Sequence, residues 1–234
     1  MKRRWQDKGY TIATMKYSPC LAIIDFDGVL FNDMRFKQEY ETLFQCAGIS
    51  RVTYEKTYQQ TKKKGYYDPR IHIRLALGSG KGASVTEKSL FSQIKTFLDQ
   101  SFRFVYGDVK KFLAFLKEEG INAILLSTGD AVFQKHKLAK SGIHDFFNDV
   151  IIIPHASKIA DVDMILRKMK PMSAIFIDDK REVVEAIKNS LPSVYAIHMR
   201  RRDNEMPSRN ADLVARSFAD MTMFIKEWRA RHNE

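Results

Sequence analysis

The 234-residue chain is short of cysteine and of long apolar runs, and each shortage removes a class of protein. Its two cysteines, Cys20 and Cys46, lie far apart and form no Cys-x-x-Cys pair. They offer neither a disulfide framework nor a thiolate metal site, and two reduced, packed thiols are expected. No stretch approaches the roughly 18 consecutive apolar residues of a membrane span, and the N-terminal residues include no apolar segment of signal-peptide type. The expectation is a cytoplasmic protein with no membrane partner. None of the six histidines has His-x-x-x-His spacing, which argues against a zinc site of that type, and His155 reads as a surface or supporting residue. There is no internal repeat, no low-complexity segment, and no zinc finger or RNP motif. Acidic residues are also in short supply. With 28 against 39 basic residues the net charge is +11, an excess that attracts phosphorylated substrates or nucleic acid. Residues 51–81 hold eight basic and two acidic side chains, +6 in one segment, and residues 1–20 hold five against one, +4. Arg200-Arg201-Arg202 reads as a solvated face.

What is present is a series of apolar runs that end in polar clusters. Leu21-Ala22-Ile23-Ile24 ends in Asp25-Phe26-Asp27-Gly28-Val29-Leu30. Alternate side chains of a strand share a face, so Asp25 and Asp27 start on one side, and Gly28 lets the chain turn just beyond them. Two acids so close repel unless a cation or a division of chemical labour makes them compatible. Asn122-Ala123-Ile124-Leu125-Leu126 ends in Ser127-Thr128-Gly129-Asp130, and Ala174-Ile175-Phe176-Ile177 ends in Asp178-Asp179. Between these, after Val150-Ile151-Ile152-Ile153, comes Lys158. In a parallel sheet such strand ends converge on one edge.

From residue 108 onward, helical and strand patterns alternate, with strands expected at 122–127, 149–153, 174–178, 194–198 and 211–215. This implies an α/β, doubly wound parallel sheet. Residues 33–105 read mostly as helix, with Leu90, Phe91, Ile94, Phe97 and Leu98 at helical spacing for core packing. Gly78-Ser79-Gly80-Lys81-Gly82 lacks the spacing of a nucleotide loop and reads as a flexible loop.

The order Asp-x-Asp-Gly-Val, a strand ending in Ser, a Lys, and a strand ending in Asp-Asp resembles the haloacid dehalogenase-like hydrolase superfamily over residues 20–220. Val29 stands where many members have Thr. The resemblance implies a Rossmann-like core, residues 18–32 and 106–234, with an inserted mainly helical cap, residues 33–105. Residues 1–17 form a basic extension. It implies a magnesium-dependent phosphatase in which Asp25 is the nucleophile and Asp27 protonates the leaving group and then activates water. Mg2+ is held by Asp25, the backbone carbonyl of Asp27, and Asp178 or Asp179, with Asp179 the expected direct ligand. Ser127, the backbone N–H groups of Thr128 and Gly129, and Lys158 bind the phosphoryl group. Lys62, Lys63, Lys64, Arg70 and Arg74 of the +6 segment are the candidates for choosing an anionic substrate, a small phosphorylated metabolite. A phosphomutase using the same groups, a nucleic-acid-binding protein and a polynucleotide-end phosphatase on this fold stay open.

Overall fold

A computed structural model describes residues 20–62, 67–79, 85–202 and 205–232. The basic extension, Lys63, Lys64 and the tip of the glycine-rich loop, residues 80–82, lie outside the described residues. The described residues open with strand β1 (Cys20–Ile24), followed by four helices among them, α1 (Asp33–Cys46), α2 (Arg51–Lys62), α3 (Pro69–Ser79) and α4 (Glu87–Leu98). Then come α5 (Val109–Glu118), β2 (Asn122–Thr128), α6 (Ala131–Ala139), β3 (Asp149–Ile153), α7 (Ile159–Met169) and β4 (Ser173–Asp178). The chain closes with α8 (Arg181–Ser190), β5 (Val194–Met199), β6 (Leu213–Ala215) and α9 (Phe218–His232).

The six strands form one parallel sheet in the order β3-β2-β1-β4-β5-β6. Strands β2 and β3 lie to one side of β1 and β4, β5 and β6 to the other, so the order reverses at β1. Such a reversal opens a crevice at the C-terminal strand ends. Both faces of the sheet are covered, and residue parity along each strand divides the core accordingly. Ala22, Ile24, Ala123, Leu125, Ile175 and Ile177 join α5, α9 and the inserted helices in one cluster. Leu21, Ile23, Ile124, Leu126 and Phe176 pack against Val162 and Ile165 of α7 and Ile187 of α8 in the other.

The inserted helices are tied to the core by aromatic rings. Phe26 stacks on Phe31 at 4.9 Å, Phe31 meets Phe36 and Phe104, and Phe36 meets Tyr40, Phe97 and Phe133. Asn32 caps α1 by accepting from the Arg35 N–H, and Thr86 caps α4 through Ser89, which fixes where two of the helices begin.

Three expectations need correction. Cys46 is exposed rather than packed. The last strand begins at Leu213, not 211, because at Asp212 only one half of the ladder is backbone: its N–H donates to the Ala196 carbonyl, while the Ala196 N–H is taken by the Asp212 carboxylate, which also pairs with Lys188. The arginine run is not a solvated face. Arg201 donates to the Val29 carbonyl and, bidentately, to Asp108 at 2.9 and 3.0 Å, its guanidinium lying over the Tyr106 and Phe218 rings. Arg202 pairs with Asp33. Arg201 therefore joins the loop after β1 to the starts of α5 and α9. Replacing it with Ala leaves Asp108 and the Val29 carbonyl without these partners, and urea unfolding should show a loss of about 2 kcal/mol. A loss below about 0.5 kcal/mol would show that the clamp contributes little.

Candidate functional site

Asp25 immediately follows β1, and its N–H donates to Ile177 of β4, so the carboxylate is set between two central strands. It is buried, as are Asp178 at the end of β4 and Lys158 just before α7. The Lys158 ammonium sits 2.6 Å from Asp25 Oδ1 and 2.7 Å from Asp178 Oδ2. Burial opposes the Lys158 charge, yet Asp178 and then Asp25 raise its proton affinity above the ordinary lysine range, so it stays charged.

Asp179 completes the acid group. Oxygens of Asp25, Asp178 and Asp179 lie within 4.8 Å of one another. Three carboxylates facing one bridging ammonium leave negative charge uncompensated. Burial, then the charges of Asp25 and Asp178, pushes the Asp179 carboxyl above its usual range. Burial does the same to Asp25 against the pull of Lys158. Asp178 has both oxygens engaged, Oδ2 by Lys158 and Oδ1 by the Lys180 N–H. Asp179 Oδ1 is buried and has no hydrogen-bond partner among the described residues. An all-oxygen set with an orphaned carboxylate oxygen fits a hard divalent cation such as Mg2+, and it favours Asp179 as a direct ligand.

Two local features hold Asp179 in place. Gly28 has φ +81°, and a Cβ there would lie 2.1 Å from Asp179 Oδ2, so only glycine allows this approach. His198 of β5 accepts the Ser208 N–H at Nδ1, so Nε2 carries the hydrogen that is donated to the Asp179 carbonyl at 3.0 Å.

Asp27 is placed differently. Its side chain is partly exposed at a cavity of about 340 Å³, bonded to Lys137 Nζ at 2.6 Å and to Gln134 Nε2 at 2.7 Å. Partial burial works to raise its proton affinity, but Lys137 and the two hydrogen bonds prevail and hold it below the usual carboxylate range. Lys137 is itself buried beneath the rings of Phe26, Phe31 and Phe36. Neither Lys137 nor Gln134 was anticipated, because a lysine in the middle of a helix normally reaches solvent. The one available signal was that Phe133 and Lys137, four residues apart, share a face of the helix that follows the Ser127 strand.

Ser127 is buried and accepts a long hydrogen bond from Gln134 at 3.3 Å. Thr128 Oγ1 belongs to a cavity-lining residue and is buried with no partner among the described residues. The Gly129 N–H, expected to face an anion, instead donates to the Ile153 carbonyl at 3.0 Å, because β2 goes on bonding to β3 one residue past its end. Of the five selectivity candidates, Lys62 lines the cavity. Arg70 lies near Asp68 and Asp130, and Arg74 pairs with Glu87 at 3.0 Å away from the cavity lining. The rest of the cavity wall comes largely from residues the sequence did not single out, including Asp33, Lys37, Tyr54, Tyr58, Tyr67 and Lys180.

A family model of the haloacid dehalogenase-like hydrolases matches residues 21–190. The chain belongs to this hydrolase family. A protein of Burkholderia xenovorans described as a haloacid dehalogenase-like hydrolase superposes on this hydrolase with TM-score 0.72, 20% identity, and coverage of 89% of this chain and 97% of that one. A 2-haloacid dehalogenase of Pseudomonas syringae gives TM-score 0.65 at 13% identity, covering 89% and 98%. A phosphatase of Thermococcus onnurineus gives 0.61 at 16% identity, covering 88% and 97%. These likenesses establish the α/β Rossmann-like fold of the family. No curated protein matches the sequence significantly.

The raised carboxyls give this hydrolase a pH signature. A carboxyl whose proton affinity is raised by folding contributes stability below its unfolded pKa and loses it as pH rises through the folded value, here up to about 8 for Asp179. His72, lowered to about 4 by burial, acts in the opposite sense, but only below its unfolded range. Between about pH 6.5 and 8, with chelator present, the melting temperature should fall as pH rises. Asp179→Asn or excess Mg2+ should flatten that slope. A flat or rising profile in chelator would contradict the acid-group geometry.

Proposed function

We propose that this hydrolase is a Mg2+-dependent phosphatase that cleaves a phosphate monoester of a small metabolite through a phosphoaspartate at Asp25. The observation that carries this reading is the Asp25–Lys158–Asp178 bridge beside Asp179, whose Oδ1 has no partner among the described residues. Bound by Asp25, Asp179 and the Asp27 carbonyl, with Asp178 in support, Mg2+ would offset the repulsion between a phosphoryl dianion and the nucleophile.

An ionised Asp25 needs no separate base to attack phosphorus. Lys158 orients that carboxylate and adds positive charge where a loose phosphoryl-transfer transition state carries its negative charge. The Ser127 and Thr128 hydroxyls are the side-chain donors for the phosphoryl oxygens. The Gly129 N–H is already committed and takes no part. Asp27 stands at the cavity and accepts a hydrogen bond from Lys137 Nζ at 2.6 Å. The leaving alkoxide takes a proton from this pair, and the attacking water later returns it. Asp27 therefore works with Lys137 rather than as a lone carboxylic acid.

That proton source also favours phosphate esters over haloacids as substrates, since a departing halide needs no proton and haloacid cleavage gives Mg2+ no phosphoryl charge to offset. The inserted helices act as a cap, with α1, α2 and Tyr67 supplying the opposite wall of the cavity. A volume of about 340 Å³ suits a small metabolite.

With Mg2+, the protein should release inorganic phosphate from an aryl phosphate, and chelation or Asp25→Asn should abolish this. Turnover that survives thorough chelation would remove the metal from the account. Asp27→Asn and Lys137→Met should each slow alkyl phosphates at least about tenfold more than aryl phosphates, because good leaving groups need less protonation. Equal losses on both ester types would assign the pair to binding instead.

A further inference from the structure

The wall of the cavity formed by α2 presents a cation with no counter-ion among the described residues. Lys62, the last residue of α2, lines the cavity, with its ammonium 5.3 Å from the centre of the Tyr58 ring. Among the described residues, no carboxylate lies within ion-pair distance of that ammonium and no acceptor bonds it. Partial burial and the charges of Lys37 and Lys180 lower its proton affinity, and only Glu55 opposes them. Lys37 does not relieve the excess. Its carboxylate partner is Asp33, whose other oxygen is taken by Arg202, so one acid serves two cations. Tyr54 and Tyr58 stack beside Lys62 and line the same wall.

Positive charge of this kind is not required by the chemistry at Asp25, where Lys158 already bridges both acids. The two ends of the lining come from different elements: Asp27, Thr128 and Asp179 from the strand ends, and Tyr54, Tyr58 and Lys62 from α2. A ligand that spans the cavity can bring one anionic group to each end.

We propose that Lys62, with Lys37 beside it, binds a second anionic group of the substrate, a carboxylate or a phosphate, remote from the phosphoryl group that is transferred. The preferred substrates are then small phosphate monoesters with two separated negative groups. This rests on the phosphatase reading and narrows it to a substrate class. The remote pair is present in both ground and transition states, so it contributes to binding and to discrimination between substrates rather than to the bond-breaking step.

The test compares ω-phosphorylated carboxylic acids of increasing chain length with the ω-phosphorylated alcohols of matching length, with Mg2+ present. The wild-type protein should favour the acid of the best-fitting length by about tenfold or more in kcat/KM. Lys62→Met should reduce that ratio by about tenfold, chiefly through KM, and Lys62→Arg should retain most of it. Taking the ratio of two esters on one variant cancels a general loss of activity or folding. A wild-type ratio near one at every length would overturn the proposal, as would a ratio that Lys62→Met leaves unchanged. Release of phosphate from p-nitrophenyl phosphate, which has no remote anion, reports separately on the phosphatase reading. If no ester is hydrolysed, that reading fails. The binding ratio for the same acid and alcohol pairs, measured by titration calorimetry, then decides the second-anion site. Equal affinity, or no measurable binding of either, overturns it.

Discussion

The ammonium of Lys158, held between Asp25 and Asp178, is the interaction on which the site depends. The two carboxylates come from the ends of adjacent central strands, and their charges would repel across a buried gap where screening is weak. One cation bonded to both converts that repulsion into a bridge. Burying three charges is costly, and the geometry offsets the cost only because every distance is at the short end of the hydrogen-bonding range. Lys158 reaches the gap because β3 delivers the chain to the C-terminal edge of the sheet just before α7 begins. The strand order is thus what makes the bridge possible.

Each acid of the Asp-x-Asp pair has its own lysine, and the two lysines precede or lie on helices that cover opposite faces of the sheet. Lys158 precedes α7, which packs with the cluster around Ile23 and Phe176, and Lys137 lies on α6, whose Phe133 and Leu138 belong to the cluster that includes the inserted helices. Lys158 is buried with Asp25, while Lys137 meets Asp27 at a cavity edge. The two carboxylates are therefore chemically distinct although they are two residues apart. Gly28 makes this compatible with a third acid, since its missing side chain leaves the space that Asp179 occupies.

Features set by local pattern could be read from the sequence. The apolar runs gave the strands, their polar ends gave Asp25, Asp178 and Asp179, and the Lys158 position followed from its place between them. What could not be read depends on approach between distant segments. Lys137 and Gln134 meet Asp27 across more than a hundred residues, and a helical lysine carries no mark of being covered by phenylalanines. Arg201 looked like one of three solvated arginines, and only the folded chain brings Asp108 and the Val29 carbonyl to it. The +6 segment pointed toward the cavity, but charge density alone could not separate Lys62, which lines it, from Arg74, which pairs with Glu87.

The central claim is that Asp25 is phosphorylated during turnover. The most direct test uses Asp27→Asn, in which water attack loses its base and the covalent intermediate should persist. After brief reaction with an aryl phosphate and Mg2+, acid quenching and proteolysis, mass spectrometry should find one phosphorylated peptide, with the phosphoryl group on Asp25. No phosphopeptide in a variant that still releases the aryl alcohol, or a phosphoryl group on any other residue, would contradict the account.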